Sequence, residues 1–137
     1  MSEVCRVLVI DDSEMTRTLL SKEISAQGNC EVVLAPDGQK AWEALERAHA
    51  EGKPFQIIFS DWNMPVLTGI ELLQKVRKDK NVGKTYFVMV TAEVEMKTVL
   101  IAIKAGANDY ITKPVMKESL QMKIKEIFAN LRVKKVA

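Results

Sequence analysis

Arg6-Val7-Leu8-Val9-Ile10-Asp11-Asp12 is the stretch on which the fold turns. Val7 to Ile10 form an unbroken apolar run rather than an alternating one, as expected of a strand covered on both faces of a parallel sheet. Two carboxylates then end the run. Outward from it, further apolar runs recur at 31–35, 56–60, 86–90 and 109–112, each followed by a turn signal and a helical pattern. The first helical segment holds Met15, Leu19, Leu20 and Ile24, and the second holds Ala41, Leu45 and Ala48. The third opens with Thr68-Gly69-Ile70-Glu71, a capping-box pattern, and sets Ile70, Leu73 and Val76 on one side. The fourth, over 94–105, is apolar on more than one side through Val99, Leu100, Ile101 and Ile103. It packs in a crowded place or presents an adhesive face. The last repeats Leu120, Ile124, Ile127, Phe128 and Leu131 at helical spacing. Strand–helix alternation of this kind predicts an α/β fold: right-handed crossovers and a doubly wound parallel sheet with helices on both faces.

The 137 residues predict one domain over 1–137, long enough to bury a core without disulfides or a structural metal. A net charge of only +2 excludes a strong field for nucleic acid or an anionic membrane. The apolar runs are too short to span a bilayer. Residues 1–6 mix acid and base without a signal-peptide h-region, so a cytoplasmic location is expected. Cys5 and Cys30 each open an apolar run without a CxxC pattern and read as small buried hydrophobes. His49 reads as a surface residue, Trp42 as helix-surface packing, and the basic tail 132–137 as a solvated helix end.

In such sheets ligands bind beyond the carboxyl ends of the strands. Asp11 and Asp12 follow the first run, Asp61 the third, Thr91-Ala92-Glu93 the fourth and Lys113-Pro114 the fifth. Polar groups thus gather at one edge. Two carboxylates ~4 Å apart repel by about 4 kcal/mol at an effective dielectric near 20, so three mutual pairs reach on the order of 12 kcal/mol. Either some are protonated or a cation is bound. Lys113 brings one positive charge, too little for three carboxylates. Hard oxygen donors that leave room for water and phosphate suit Mg2+ better than Ca2+. No Cys or His joins them, which disfavours zinc. Mg2+, a Lys and a Thr hydroxyl are the parts that phosphoryl transfer to a carboxylate requires. Asp61, single and ending the middle run, is the candidate nucleophile; the adjacent Asp11 and Asp12 are better placed to hold metal. The plainer reading, that Ser13 or Asp12 caps the first helix, leaves Asp61 and Lys113 unexplained.

Together, Asp11-Asp12, Ser60-Asp61-Trp62-Asn63-Met64-Pro65, Val90-Thr91-Ala92 and Asp109-Tyr110-Ile111-Thr112-Lys113-Pro114 resemble the motif set of response-regulator receiver domains over about 6–131. The Asp-Trp-Asn-Met-Pro string is similar to the single-domain, CheY-like chemotaxis branch. The resemblance implies a flavodoxin-like (βα)5 fold with a five-stranded parallel sheet in the order 2-1-3-4-5. It implies a two-component signalling switch in which Asp61 takes a phosphoryl group from the phosphohistidine of a sensor histidine kinase. Mg2+ would be held directly by Asp12, Asp61 and the backbone carbonyl of Asn63, and through a water on Asp11. Thr91 and Lys113 would bind phosphoryl oxygens, Tyr110 would turn inward as Thr91 moves, and Lys113-Pro114 would be cis. Asn63 and Glu93 fall where the family tunes dephosphorylation. A downstream protein would meet the face made by the fourth helix, fifth strand and fifth helix. No nucleic acid and no membrane insertion are expected, and the chain would be a monomer.

One departure stands out. Val115 and Met116 follow Lys113-Pro114 where chemotaxis receivers usually carry Phe, so the pathway, motility or another, stays open. Met96, Met116 and Met122 read equally as an adaptable binding surface or as core filling. Tyr110 also reads as a strand residue packed against the last helix.

Other classes compete with the switch. A phosphatase using an aspartyl-phosphate would need an acid two residues after the nucleophile, where Asn63 stands. A flavin protein would need a small-residue phosphate cradle after the first strand, where Asp11 and Asp12 repel phosphate. An unphosphorylated interaction module would not explain Asp12, Asp61, Thr91 and Lys113 together. The expectation is therefore no multiple-turnover enzyme, only self-catalysed phosphoryl acceptance and slow autodephosphorylation.

Overall fold

The computed structural model describes residues 4–134. Strand β1 (Cys5–Ile10) lies between two parallel neighbours, β2 (Cys30–Ala35) and β3 (Ile57–Ser60). Strands β4 (Tyr86–Thr91) and β5 (Asp109–Thr112) extend the sheet, giving the order β2-β1-β3-β4-β5 with every pairing parallel. The strand order implied by the resemblance is the observed one.

Crossover helices cover both faces, which is why the central strands are apolar without alternation. Leu8, Ile10, Ile58, Phe87 and Met89 face helices α2 (Gly38–Ala50), α3 (Gly69–Lys78) and α4 (Met96–Ala105). Val7, Val9, Ile57, Phe59, Val88 and Val90 face α1 (Glu14–Gln27) and α5 (Lys117–Leu131). Full burial of each such side chain contributes about 1.5–3 kcal/mol.

Local chemistry sets the helix starts. Ser13 caps α1 by accepting from the Thr16 amide at 3.3 Å, so Asp12 is not the cap. The capping box at the start of α3 forms as expected, with Thr68 and Glu71 satisfying each other's backbone amides. Helix α4 has no side-chain cap at its start and ends at Gly106, whose φ of 111° favours glycine.

Some expectations need correction. Met15, in the first turn of α1, is 82% exposed. Trp42 is only 9% exposed and joins the core, with the Lys75 ammonium 4.6 Å from its ring centroid. Leu72 joins Leu73 and Val76 in the buried stripe of α3, and Ile70, partly buried, packs against the same core. The tail is not simply a solvated helix end. Arg132 turns in a left-handed conformation, the Val133 amide donates to the Phe128 carbonyl at 2.9 Å, and the Lys134 carbonyl accepts from Asn29 at 2.8 Å. The remaining tail positions, 135–137, lie outside the described residues. Cys5 is buried but Cys30 is only partly so. His49 is exposed on α2, as expected.

Register positions the site. Ile10 pairs with Ser60, so Asp11 and Asp61 leave the sheet at the same height, and the Asp61 amide donates to the Ile10 carbonyl at 2.9 Å. Thr91 pairs with Thr112, and the Lys113 amide donates to the Thr91 carbonyl at 2.9 Å. The carboxyl edge thus collects residues far apart in sequence.

Candidate functional site: an acidic cluster bridged by a lysine

Asp11, Asp12 and Asp61 come together at that edge, each offering an oxygen within 4.8 Å of the others. Asp11 and Asp61 are buried while Asp12 is exposed. The Lys113 ammonium bridges the two buried acids, 2.8 Å from Asp11 Oδ2 and 3.1 Å from Asp61 Oδ2. Each acid has a second anchor. The Ser13 amide donates to Asp11 Oδ1 at 2.9 Å, and the Trp62 amide donates to Asp61 Oδ1 at 2.7 Å. The carboxylates are therefore oriented by backbone amides on one oxygen and by the lysine on the other.

The electrostatics are opposed, as the sequence suggested. Burial and the neighbouring Asp11 push the Asp61 carboxyl above the usual carboxylate range, and Lys113 and the Trp62 amide pull against that. Burial also disfavours charge on Lys113, but the hydrogen bonds and attraction of Asp11 and Asp61 outweigh it and raise its pKa. One ammonium cannot neutralise three carboxylates. The donors are all hard oxygens, and no Cys or His belongs to the cluster among the described residues. That set fits Mg2+ rather than a softer metal.

Thr91 is fully buried at the end of β4, and its Oγ1 accepts from the Glu93 amide at 3.3 Å. The Tyr110 hydroxyl donates to the Glu93 carbonyl at 2.7 Å. Tyr110 packs on the α2/α3/α4 layer, not against α5, because neighbouring strand residues point to opposite faces and Ile111 takes the α5 side. Lys113-Pro114 is cis, as expected. Asn63 is exposed two residues beyond Asp61.

Two supporting residues escaped the sequence reading. A Cβ on Gly69 would lie 2.1 Å from the Asp61 carbonyl oxygen and 2.8 Å from Trp62 Cα, so only glycine lets α3 start against the Asp61 backbone. The Gly69 amide donates to the Trp62 carbonyl at 2.8 Å, which ties the two segments. Buried Ser60 donates from its hydroxyl to the Asp61 carbonyl at 2.9 Å. A glycine at the head of a capping box was the available signal; what it approaches is visible only in three dimensions. Between them, Val66 has φ 70° and is centred in a turn closed by the Leu67 amide on the Pro65 carbonyl at 2.8 Å. A β-branched residue there is strained.

A cavity of about 750 Å3 lies at the amino edge of the sheet, lined by residues such as Phe55, Val82, Tyr86 and Val133. It is at the opposite end from the acids, so size does not mark the chemistry here. On the flank, α4 buries only Ala102 and exposes Leu100, Ile101 and Ile103, while Met96, Met116 and Met122 are also exposed. These side chains are not core filling; this flank presents them to solvent. Among the described residues no helix is long and apolar enough to cross a membrane.

The comparisons agree with this arrangement. The family model for the response regulator receiver domain matches residues 7–125. The chain is 38% identical over 121 residues to chemotaxis protein CheY1 of Helicobacter pylori, covering 85% of this chain and 94% of that one. It is 33% identical to chemotaxis protein CheY of Pseudomonas aeruginosa, covering 90% and 95% of the two chains. Among solved structures, the chemotaxis response regulator CheY4 of Vibrio cholerae is similar at TM-score 0.79 and 30% identity, covering 90% of this chain and 98% of that one. The response regulator domain of Thermotoga maritima CheB is similar at TM-score 0.70 and 36% identity, covering 94% of each. A five-stranded sheet in this order, with paired acids, a third aspartate and a bridging lysine at its carboxyl edge, has one family in common with all of these: the chain belongs to the response regulator receiver domains.

Proposed function

We propose that Asp61 is the phosphoacceptor of a chemotaxis-type signalling switch, charged by the phosphohistidine of a sensor kinase. The observation that carries this reading is the Lys113 bridge between Asp11 and Asp61, a positive group fixed beside an anchored, partly desolvated carboxylate. A carboxylate oxygen of Asp61 forms the new O–P bond as the N–P bond of the phosphohistidine breaks. Lys113 and the Thr91 hydroxyl are the groups that bind phosphoryl oxygens, and Lys113 helps keep Asp61 ionised beforehand. Asp11, Asp12, Asp61 and the backbone carbonyl of Asn63 are the groups that would hold Mg2+. When bound, that ion supplies the positive charge that three carboxylates and a phosphoryl group together demand.

The switch runs through Glu93. Thr91 Oγ1 accepts from the Glu93 amide, and the Glu93 carbonyl accepts from Tyr110. A Thr91 hydroxyl drawn to a phosphoryl oxygen leaves that amide, and the loop to which Tyr110 is tied shifts with it. The readout is the α4-β5-α5 face, where Leu100, Ile101, Ile103 and Met116 give a downstream protein an apolar, adaptable contact. The names of the curated relatives support a chemotaxis pathway. The chain acts as a monomer in the cytoplasm, one receiver over 1–137. It is no multiple-turnover enzyme: the Asn63 amide cannot serve as the general acid of a phosphatase.

Incubation with acetyl phosphate and Mg2+ tests the assignment. One phosphoryl group per chain is expected, lost on adding EDTA before the donor and absent from Asp61→Ala. Equal, stable labelling of Asp61→Ala would overturn it.

A further inference from the structure

We propose that Cys5 and Cys30 form a reversible disulfide driven by hydroperoxide, a modification site at the end of the sheet opposite the acidic cluster. The two residues are direct partners in the parallel register of β1 and β2. Both belong to the layer facing α1 and α5, so their side chains share one side of the sheet. Neighbouring strands lie roughly 4.8 Å apart, within the Cα separation of about 4.4–6.8 Å that a disulfide spans. Among the described residues, strand β2 is at the sheet edge, paired with β1 alone, and can close toward β1 without breaking a second ladder.

Exposure divides the roles. Cys30 is partly exposed and meets the oxidant; Cys5 is buried beside it and resolves the product. The titration directions agree with that geometry. A hydrogen bond from Cys5 favours the Cys30 thiolate and lowers its pKa, while the bond to Cys30 and burial raise that of Cys5. An accessible thiolate with a resolving thiol at its side is the arrangement of redox-responsive pairs.

The chemistry balances in two steps. The Cys30 thiolate attacks the terminal oxygen of a hydroperoxide ROOH; an S–O bond forms, the O–O bond breaks, and RO− leaves to take the proton that Cys30 released. The Cys5 sulfur then attacks the Cys30 sulfenic acid; the S–S bond forms, the S–O bond breaks, and the hydroxyl leaves with the Cys5 proton as water. The two thiols are oxidised by two electrons, and the peroxide is reduced to ROH and water.

The test treats the reduced, full-length protein with equimolar hydrogen peroxide, then alkylates it and maps the thiols by mass. Expected is a monomer in which neither cysteine is alkylated, a Cys5–Cys30 linked peptide pair, and recovery of both thiols with dithiothreitol. In Cys5→Ala the Cys30 sulfenic acid should be trapped by dimedone, and in Cys30→Ser the Cys5 thiol should stay unreacted. The wild-type mapping stands even where a variant folds poorly. Two alkylatable thiols after treatment, sulfinic acid on Cys30 with Cys5 free, or cross-links only between chains would each refute the pair.

Discussion

Replacing Lys113 by Met removes the charge and keeps much of the side chain's length, which isolates the electrostatics of the site. The ammonium contacts at 2.8 and 3.1 Å are each attractive by about 5–6 kcal/mol at an effective dielectric near 20. Asp11 and Asp61, with oxygens within 4.8 Å, repel by about 3.5 kcal/mol on the same scale. Desolvation of all three groups offsets most of the difference. Breaking a buried pair by deleting one partner costs about 3–5 kcal/mol. Because the Lys113 side chain is 21% exposed, solvent screening sets the lower end, about 3 kcal/mol. For a chain of this length that lowers Tm by roughly 10 °C. Thermal unfolding of wild type and Lys113→Met in EDTA near neutral pH measures it. The raised pKa of Lys113 places its contribution fully below the ordinary lysine value of 10.5, and the contribution disappears as pH rises through the folded value. The gap should therefore hold through neutral pH and close in alkali. It should also narrow in acid, where protonating Asp61 relieves the repulsion, and Mg2+ should stabilise the variant more than wild type. Equal Tm values for the two proteins in EDTA would refute the reasoning.

In the metal-free protein, Asp61 has a folded pKa above its ordinary 3.8, so its contribution to stability is present below that value and is lost as pH rises through the folded one. Urea midpoints from about pH 4 to 7 in EDTA should show Asp61→Asn gaining on wild type as pH rises. Gly69→Ala puts a Cβ 2.1 Å from the Asp61 carbonyl. It should cost at least about 2 kcal/mol and slow labelling by acetyl phosphate, a pairing that Ile70→Ala should not reproduce. The Arg77 guanidinium donates to the Gly83, Thr85 and Gly106 carbonyls and to the Asn108 side chain, so Arg77→Ala strips the clamp at the end of α4. A loss of about 3 kcal/mol should accompany faster amide exchange around Gly106 and Asn108, while exchange in α1 stays unchanged beyond the global effect.

Why the acids were legible and their supports were not follows from what each depends on. Asp11, Asp61, Thr91 and Lys113 each end an apolar run, and in a parallel sheet all runs end at the same edge. Adjacency in space is then readable from position in the run, before any register is known. Gly69, by contrast, matters because a helix starts against the Asp61 carbonyl, an approach of backbone to backbone that no side-chain pattern encodes. Helical spacing has the complementary weakness: it says which side of α1 is apolar but not how much of that side is covered. Met15 obeys the period and still projects into solvent. Trp42 errs the other way: it packs into the core layer facing α2, α3 and α4, where its helical position alone suggested surface. The cysteine pair shows the same limit most sharply. Cys5 and Cys30 look unrelated in a chain with no CxxC spacing, and each alone reads as a small apolar residue, a reading that Cys5 meets in full and Cys30 in part. Only the register of β1 on β2 makes them neighbours. Strand ends, then, carry chemistry that sequence can announce, whereas pairs made across a ladder become visible only once the ladder is drawn.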